Sequence, residues 1–405
     1  MKKSTCFFLV VCFFVISINL QAQWINTANF PSFGGGVLSL AVSGNNLYAG
    51  TLNAGVFLTS DEGENWIEAN SGLTDNEIWS LAVSASSIYA GTENGVFITT
   101  DNGSNWSEAS SGLTDGTVYS FVVSGSDLFA GTDDGVFLST NNGTNWTDVS
   151  AGLPDGWIRA LTVSGTNLFA SAGFGVYLST DNGSNWNEVS SGLPDNRIIY
   201  SLAVIGTSLF AGTSGAGVYV STNNGTNWDA ANSGLENDDV WALAVSGTSI
   251  FAGTENNGVL LSANNSSDWV NTEYELGSSW ALALTETDIF AAGGLSRVAK
   301  RPLAELITDF EDEREIIPAV WKLNQNYPNP FNPSTMIIYQ IPEAGFVVLK
   351  VYDILGKEVK TLVNENNQAG SYNIRFDASD LASGFYIYQI RINSYISSKK
   401  MLLIK

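Results

Sequence analysis

From residue 23 to about residue 301, apolar and polar side chains alternate in short runs separated by turn residues. In a typical stretch, runs at 79–83, 88–92, 95–99 and 105–108 follow one another with Ser, Gly, Asn or Asp between them. This period of two, rich in β-branched and aromatic residues, predicts four short antiparallel strands. Asn102-Gly103 predicts a tight hairpin between the third and fourth strands, because both residues accept a positive φ angle.

The four-strand unit recurs along the chain. The phrase from Thr59 to Trp66 returns in four good copies and in one further copy that lacks the glycine. The tryptophans of this series stand 40 to 42 residues apart, at Trp24, Trp66, Trp106, Trp146, Trp186, Trp228 and Trp269. A repeat of about 40 residues with four strands predicts a β-propeller, and the absence of a 3.6-residue apolar period excludes helical repeats.

The number of first strands predicts the number of blades. They begin near Val37, Ile78, Val118, Ile158, Ile199, Val240 and Ser279. The seventh unit lacks its own fourth strand with a tryptophan, whereas the segment at Trp24 supplies a spare one. We therefore predict a seven-bladed propeller over 23–303, in which the Trp24 strand pairs with the blade that holds Trp280 and removes an open edge.

The composition changes after the propeller. An acidic, proline-containing linker is predicted over 304–322, followed by a small Ig-like antiparallel β-sandwich over 323–405. The runs that predict its strands lie at 336–341, 347–352, 358–362, 372–376, 385–392 and 397–404, with a leading edge near Asn326. The predicted fold class is thus all-β throughout.

The N-terminus has the features of an export signal. Lys2 and Lys3 precede an apolar stretch from Cys6 to Leu20, and Ala22 stands before a polar residue. This pattern predicts a cleaved signal peptide over 1–22, with an uncleaved anchor helix as the alternative. Because no later segment approaches the roughly 20 apolar residues that span a bilayer, we do not expect an integral membrane protein.

The composition narrows the chemistry further. The chain has no His, and its two cysteines lie inside the predicted signal peptide. A mature chain from residue 23 therefore has no Ser-His-Asp triad, thiol nucleophile, disulfide or Cys/His metal site. Carboxylate chemistry, oxygen-ligated Ca²⁺ and binding without catalysis remain open, and we assign no cofactor and no metal-ligating residue. The net charge is −23, with 40 acidic and 17 basic residues, which argues against a nucleic-acid partner.

The repeated phrase Ser/Thr-x-Asp-x-Gly-x-x-Trp resembles the Asp box, or BNR repeat, of sialidase-like propellers, photosystem II assembly-factor-like proteins and xyloglucanase-like hydrolases. The resemblance implies a structural hairpin between a blade's third and fourth strands, with the Asp bracing the backbone and the Trp packed between strands. Asn at the Asp position would brace it less strongly. The residues assigned to this role are Asp61, Gly63, Trp66, Asp101, Gly103, Trp106, Asn141, Gly143, Trp146, Asp181, Gly183, Trp186, Asn223, Gly225 and Trp228.

The C-terminal module resembles the C-terminal sorting domain of the type IX secretion system of Bacteroidetes-like bacteria. The resemblance rests on the motifs at 326–335, 351–359 and 384–388 and on the ending at 399–405. It implies that the type IX machinery recognises 323–405 and carries the protein across the outer membrane, often with removal of the domain and attachment to the cell surface. The alternative is a permanent Ig-like domain that only extends the chain.

Two enzymatic chemistries of similar propellers can be tested on the residues. A sialidase needs three arginines converging on a carboxylate, and the propeller offers only Arg159, Arg197, Arg297 and Arg301, which do not fall at equivalent positions. A glycoside hydrolase needs two carboxylates. The aspartates before the first strands stand in a repeated turn phrase and are interpreted as turn residues; they are Asp75, Asp115, Asp155, Asp195, Asp238 and Asp239.

One set of residues is a candidate ligand site. The second residue of each first strand is aromatic in five blades, and these side chains would form a ring near one mouth of the central channel. The candidate ligand-binding residues are Trp79, Tyr119, Arg159, Tyr200, Trp241 and Trp280, together with Trp157, the best single candidate for an exposed contact. Because the equivalent residue of the first blade is Leu38, the alternative is that the ring packs between blades.

The sequence therefore predicts a secreted or cell-surface propeller that acts as a non-catalytic binding module for an extracellular glycan or protein. One alternative is a glycoside hydrolase, xyloglucanase-like or sialidase-like, that uses carboxylates on the top face. A second alternative is a structural surface protein without a specific ligand. Uniform repeat lengths favour the two non-enzymatic interpretations, since an inserted loop usually builds a substrate cleft.

Overall fold

The structure is a computed structural model, and it describes residues 23–32, 35–114, 116–235, 238–263, 268–272, 274, 277–306, 321–326, 329–379 and 381–404. The chain divides into two compact units, Met1–Ile307 and Thr308–Lys405. The predicted signal peptide, and most of the predicted linker, lie outside the described residues.

The described part of the first unit contains seven four-stranded antiparallel sheets, here called blades 1 to 7 in the chain order of their first strands. The first strands are Val37–Ser43, Ile78–Ser84, Val118–Ser124, Ile158–Ser164, Ile199–Ile205, Val240–Ser246 and Ala281–Leu284. The second strands are Asn46–Thr51, Ser87–Thr92, Asp127–Thr132, Asn167–Ala172, Ser208–Thr213, Ser249–Thr254 and Asp288–Ala292. The third strands are Val56–Thr59, Gly95–Thr99, Gly135–Ser139, Gly175–Ser179, Val218–Ser221, Val259–Ser262 and Val298–Pro302. The fourth strands are Ile67–Glu68, Ser107–Glu108, Thr147–Asp148, Asn187–Glu188, Asp229–Ala230, Val270–Asn271 and, for blade 7, Ile25–Asn26.

The blades close into a ring. Each first strand contacts the first strands of the two neighbouring blades, and that of blade 7 contacts that of blade 1. Ile25 pairs with Lys300 and Asn26 with Ala299, so the N-terminal strand completes blade 7 as predicted. This arrangement is a β-propeller and is consistent with the predicted seven blades. The first strand of blade 7 begins at Ala281, two residues later than predicted, and Trp280 lies just before it.

The second strand is the most deeply buried part of each blade, because the two neighbouring blades cover its two faces. In blade 1, five of the six residues of this strand are buried. Small residues let the layers approach, since a Cβ at Gly50 would lie 2.6 Å from Ile78 Cγ2 of blade 2. Apolar clusters accordingly combine consecutive blades, as where Tyr48 and Val56 of blade 1 join Phe97 of blade 2. The core of the propeller is therefore a series of interfaces between blades.

The repeated tryptophans connect each blade to the one before it. Nε1 of Trp106, Trp146, Trp186, Trp228 and Trp269 donates a hydrogen bond of 2.6–2.8 Å to the carbonyl of Ala69, Ala109, Val149, Val189 and Ala231, respectively. Trp24 of blade 7 donates to the Thr272 carbonyl at 3.0 Å, and Trp66 of blade 1 donates to Thr27 Oγ1 at 3.2 Å. These seven bonds run around the whole ring in one direction.

The connection between the third and fourth strands is longer than the tight hairpin that Asn102-Gly103 predicts. Both residues have the expected positive φ angles, 57° and 84°, yet seven residues, 100–106, separate the two strands. The reason is that Trp106 leaves the blade: its main-chain N–H donates to the Ser71 carbonyl of the preceding blade at 2.8 Å. The fourth strand is thus only two residues long.

The second unit is an antiparallel structure of two sheets. One sheet has the strand order Lys322–Leu323, Ser334–Ile341, Gly370–Asp377, and the other has the order Glu358–Asn367, Gly345–Tyr352, Gly384–Ile392, Tyr395–Leu403. All seven strands were predicted with shorter or shifted bounds. Side chains from both sheets, including Ile337, Phe376, Leu349 and Tyr388, meet in one buried cluster. No helix among the described residues of the chain is long and apolar enough to cross a membrane.

Candidate functional site

The candidate ring residues share a backbone irregularity. In six blades the register between the first and second strands shifts at the second residue of the first strand, which is therefore a β-bulge. The bulge residues are Leu38, Trp79, Tyr119, Arg159, Tyr200 and Trp241. A bulge bends the strand locally and re-aims the side chain that it carries. All six side chains are half-buried, as is that of Trp280 in blade 7.

Four of the candidate residues form one group, here called the blade-4 cluster: Trp79, Tyr119, Trp157 and Arg159. The Arg159 guanidinium carbon lies 4.1 Å from the ring centroid of Tyr119, 4.9 Å from that of Trp157 and 5.9 Å from that of Trp79. Trp79 and Tyr119 meet edge to face, with centroids 5.3 Å apart. Three aromatic faces therefore surround one cation, the arrangement that favours cation–π attraction.

Arg159 has no counter-charge among the described residues. No carboxylate lies within salt-bridge distance of its guanidinium, which also forms no hydrogen bond there, and Nε is buried without a partner. A half-buried cation without a carboxylate gives up part of its hydration and regains only the attraction of the rings. Among the described residues, the Arg159 guanidinium therefore has no anionic partner at hydrogen-bond distance.

Acidic residues lie close to the aromatic groups of the cluster without reaching Arg159. Burial raises the pKa of Tyr119 above its ordinary value, and a hydrogen bond with Asp133 raises it further. Burial also raises the pKa of Glu77, with Glu93 and Asp75 adding repulsion. The blade-4 cluster thus holds one cation between aromatic rings, with acidic side chains near Trp79 and Tyr119.

The other three candidate residues form a second group with an acid. The rings of Tyr200 and Trp241 stack, with centroids 4.1 Å apart, and the Trp241 and Trp280 centroids are 6.2 Å apart. Glu255 Oε2 accepts hydrogen bonds from Nε1 of both tryptophans, at 2.9 and 3.0 Å. A Cβ at Gly36 would lie 2.4 Å from the Trp280 ring. This half of the ring is held by internal contacts, as the alternative of packing between blades expects.

Blade 4 departs from the repeat around the first cluster. Just before the first strand, where blades 1, 2 and 3 have Gly36, Glu77 and Thr117, blade 4 has Trp157, whose side chain is 49% exposed. After its second strand it has Phe174, 56% exposed, where blades 2 and 3 have polar residues. Folding gains little from large apolar groups that stay in water, so these two residues point to a role in binding.

Blade 4 also differs from its neighbours in the position of one buried serine. In blades 2 and 3 a serine on the first strand, such as Ser80, donates to the next blade and faces a glycine on the second strand, such as Gly91. Blade 4 has Ala160 in place of the serine and Ser171 in place of the glycine, and Ser171 Oγ accepts from the Ala160 N–H at 2.8 Å. The hydroxyl has moved from one strand to the other, directly beside Arg159.

The aspartates considered for catalysis have different surroundings. Asp75 accepts hydrogen bonds from Glu77 and from the main chain and side chain of Asn94. Asp238, which is 2% exposed, accepts from Asp239 and from Asn256 and Asn257. Both fix the neighbouring loops, as expected of turn residues. Asp155 and Asp195 line a groove of about 750 Å³ beside Phe174, and Asp115 lies outside the described residues.

The arginines considered for a sialidase site have different surroundings. Arg301 is 3% exposed and donates to the Thr272 carbonyl at 2.8 Å, a structural role between blades. Arg197 is exposed beside Gly215 of blade 5. Arg159 alone is surrounded by aromatic rings. Within the described ranges no group of three or more metal-ligating side chains is placed to hold a metal ion.

The residues of the repeated phrase that resembles an Asp box lie at the connection between the third and fourth strands. Asp101 Oδ1 accepts from Thr99 Oγ1 and from the Asn105 N–H, while Oδ2 accepts from Asn105 Nδ2 at 2.9 Å. Asp61 and Asp181 make the same three bonds. Asn141 and Asn223 make the first two of these bonds. The bond to a second oxygen is lost, because an amide has only one acceptor oxygen.

Glu255 and Phe174 were missed at the sequence level. Phe174 departs from the repeat, since blades 2 and 3 have Asn94 and Asp134 at that position, and comparing the blades position by position would have found it. Glu255 stands where blade 2 has Glu93 and blade 3 has Asp133, so it has no signal in the repeat. Its role depends on its hydrogen bonds with Trp241 and Trp280.

The comparison with protein families identifies parts of the chain. Residues 325–405 match the secretion system C-terminal sorting domain, and residues 88–204 match the DUF6242 beta propeller domain. None of the curated proteins matches the sequence. The chain therefore combines a β-propeller with a C-terminal sorting domain, as both resemblances implied.

Solved structures show the same fold at low identity. YCF48 bound to a D1 peptide is 15% identical, with 71% of this chain and 99% of that chain covered, at a TM-score of 0.56. PorZ, a surface component of the type-IX secretion system of Porphyromonas gingivalis, is 15% identical, with 94% and 60% covered, at 0.51. An ancestral GH74 enzyme is 14% identical, with 94% and 64% covered, at 0.57. At these identities the likeness shows the fold alone.

Proposed function

We propose that this protein is a non-catalytic binding protein of the cell exterior. The sorting domain directs export through the type IX system after a signal peptide over 1–22 has been removed, and the propeller then presents its site at the cell surface or in the medium. The ligand is an extracellular glycan or protein segment. The observation that carries the proposal is Arg159, a half-buried guanidinium between three aromatic rings that has no carboxylate partner within the described ranges.

The chemistry of the blade-4 cluster favours a ligand with an anionic group beside a flat or apolar one. A guanidinium binds a carboxylate or phosphate in a bidentate manner, and the surrounding rings fix its plane. Trp157, half exposed next to it, offers a stacking surface for a sugar ring or a side chain. YCF48, a structure of similar fold, binds a D1 peptide, which is compatible with a protein segment as the ligand here.

Catalysis receives less support from the same geometry. The carboxylate oxygens of Asp75 and Asp238 accept hydrogen bonds from the neighbouring loops. A glycoside hydrolase needs one carboxylic acid with a raised pKa and a second, free carboxylate on the other side of the scissile bond. Glu77 has a raised pKa, but Asp75, the acid near it, is occupied by the hydrogen bonds of its own loop.

The test is a screen of the chain from residue 23 to 405 against a glycan array and a peptide array, with polysaccharide hydrolysis measured in parallel. We expect binding to a carboxylate- or phosphate-bearing ligand and no release of sugar. Hydrolysis that a single Asp→Asn change abolishes would overturn the proposal in favour of an enzyme. Absence of binding to either array would favour a structural surface protein.

A further inference from the structure

The sorting domain exposes large apolar side chains at one end of its four-stranded sheet. Leu355 is 88% exposed and Ile354 is 71% exposed, in the turn between the strands Gly345–Tyr352 and Glu358–Asn367. Phe385 and Ile387, on the next strand, are 46% and 39% exposed. Together with Tyr352 these residues are here called the sorting patch.

The turn that carries Ile354 and Leu355 is held rigidly. Asp353 Oδ1 accepts from the N–H groups of Leu355 and Lys357, both at 2.9 Å. The Asp353 carbonyl accepts from Gly356, and the Asp353 N–H donates to the Lys357 carbonyl. A turn with its backbone bonds made in this way displays its two aliphatic side chains at little entropic cost on binding.

Strand register brings the rest of the patch alongside the turn. Tyr352 lies opposite Ile387, and Phe385 stands two residues before Ile387, on the same outward face. On the far side, Ile387 lies opposite Lys400, whose Nζ stands 3.9 Å from the Phe385 ring centroid. Tyr352, Phe385 and Ile387 therefore share one face of the sheet at the end that carries the turn.

The surroundings of the patch are basic. Lys400 lies on Phe385, and the exposed Lys357 closes the turn. Of the two acids nearest the turn, Asp353 accepts main-chain hydrogen bonds and Glu358 forms an ion pair with Lys350 at 2.7 Å. From residue 323 to 405 the chain has eight basic and six acidic residues, against five and 28 over 23–301. A partner surface that fits is an apolar pocket with carboxylates at its rim.

We infer that the sorting patch is the surface by which a protein of the secretion machinery recognises this domain. The inference rests on the export part of the proposed function and is independent of the ligand site in the propeller. Exposed aliphatic side chains on a rigid turn contribute nothing to the buried cluster of the domain, whereas burial in a partner's pocket stabilises a complex. Leu355 and Ile354, the most exposed of the set, are the anchors.

The test measures export of the full chain in a bacterium that has a type IX system. The variant Ile354→Ser/Leu355→Ser alters only exposed side chains of the turn. The matched control is Ile396→Ser, which changes an aliphatic residue that is 53% exposed and pairs with Arg391, away from the turn on the same sheet. We expect the double variant to reach the surface or medium about tenfold less than wild type, as expected when anchor residues are lost, and the control to be exported normally.

Several outcomes would overturn the inference. Export of the double variant at the wild-type level would do so, and so would an equal loss in the Ile396→Ser control. Retention of the wild-type chain would instead overturn the proposed export. Thermal unfolding of the purified full-length variants checks that the domain still folds.

A photo-crosslinking residue provides a readout that does not depend on the stability of the serine variant. Placed at position 355, it should cross-link to a component of the secretion machinery, and placed at position 396, it should not. A cross-link from position 355 to the propeller of the same chain would contradict the inference.

Discussion

At the scale of single residues, the recurring aspartates stabilise each repeat through hydrogen bonds within the connection between the third and fourth strands. Two oxygens of Asp101 accept three hydrogen bonds across a connection of seven residues. Asn141 and Asn223 show that the connection also forms with two of these bonds. The carboxylate is therefore a stabilising choice and not a requirement of the fold.

The pKa of Asp61 makes this contribution dependent on pH. Hydrogen bonds from the Asn65 side chain and N–H and from Thr59 lower it to about 2, below the ordinary value of about 3.9 in an unfolded chain. Its contribution to stability is thus complete above about pH 4 and is lost as the pH falls towards 2, because the unfolded chain takes up the proton first. The melting temperature of Asp61→Asn should therefore fall less between pH 5 and pH 2 than that of wild type. An equal fall in melting temperature for both proteins between pH 5 and pH 2 would contradict a lowered pKa at Asp61.

At the scale of elements, the interface between two blades depends on glycines that face the repeated tryptophans. Gly112 has a φ of 90°, and a Cβ there would lie 2.2 Å from the carbonyl oxygen of Trp146 in the next blade. Gly72, Gly152 and Gly192 stand in the same relation to the next tryptophan. The turn that contains each of these glycines therefore also forms part of the interface with the next blade.

Replacing Gly112 by Ala should destabilise the propeller more than replacing Gly125. Gly125 also has a positive φ, 63°, but a Cβ there meets nothing within 4 Å. We expect about 1 kcal/mol for Gly125→Ala from the backbone alone, and about 3 kcal/mol or more for Gly112→Ala, where a backbone clash adds to it. Denaturant unfolding of both variants gives the comparison, and equal losses would show that the close approach is not maintained.

The local pattern is a good guide to strands and a poor one to their ends and to the site. The run at 79–83 lies within the observed strand Ile78–Ser84, because alternation reports burial directly. The fourth strand near Asn105 shrinks to Ser107–Glu108, because Trp106 bonds to a distant blade that no local pattern reveals. Equivalence of Trp79 and Arg159 in the repeat was readable from the sequence. The division of the seven candidate residues into two clusters, one around Arg159 and one around Glu255, depends on side-chain packing across blades.

At the scale of the whole molecule, the ring is closed by the N-terminal strand. Trp24 donates to the carbonyl and Oγ1 of Thr272, and its ring meets that of Tyr274 edge to face at 5.0 Å. Because each first strand contacts both neighbours around the ring, opening one interface removes support from the whole propeller.

Trp24→Ala should therefore lower the stability of the complete propeller by about 3 kcal/mol, the cost of deleting a large aromatic side chain and its hydrogen bond. Trp157→Ala is the matched control, since that side chain is 49% exposed and lies in the candidate site. Calorimetry of both variants tests this prediction. A Trp24→Ala chain that melts with wild type would show that closure contributes little.

The central claim, that the propeller binds its ligand through Arg159, is tested most directly by an affinity measurement. The affinity of the carboxylate- or phosphate-bearing ligand from the array screen is measured by calorimetric titration for wild type, Arg159→Gln and Arg197→Gln. Arg197, exposed on the next blade, matches the change in charge without the aromatic cage. We predict that Arg159→Gln weakens binding about tenfold or more, while Arg197→Gln stays close to wild type. Equal affinities for Arg159→Gln and wild type would contradict the account.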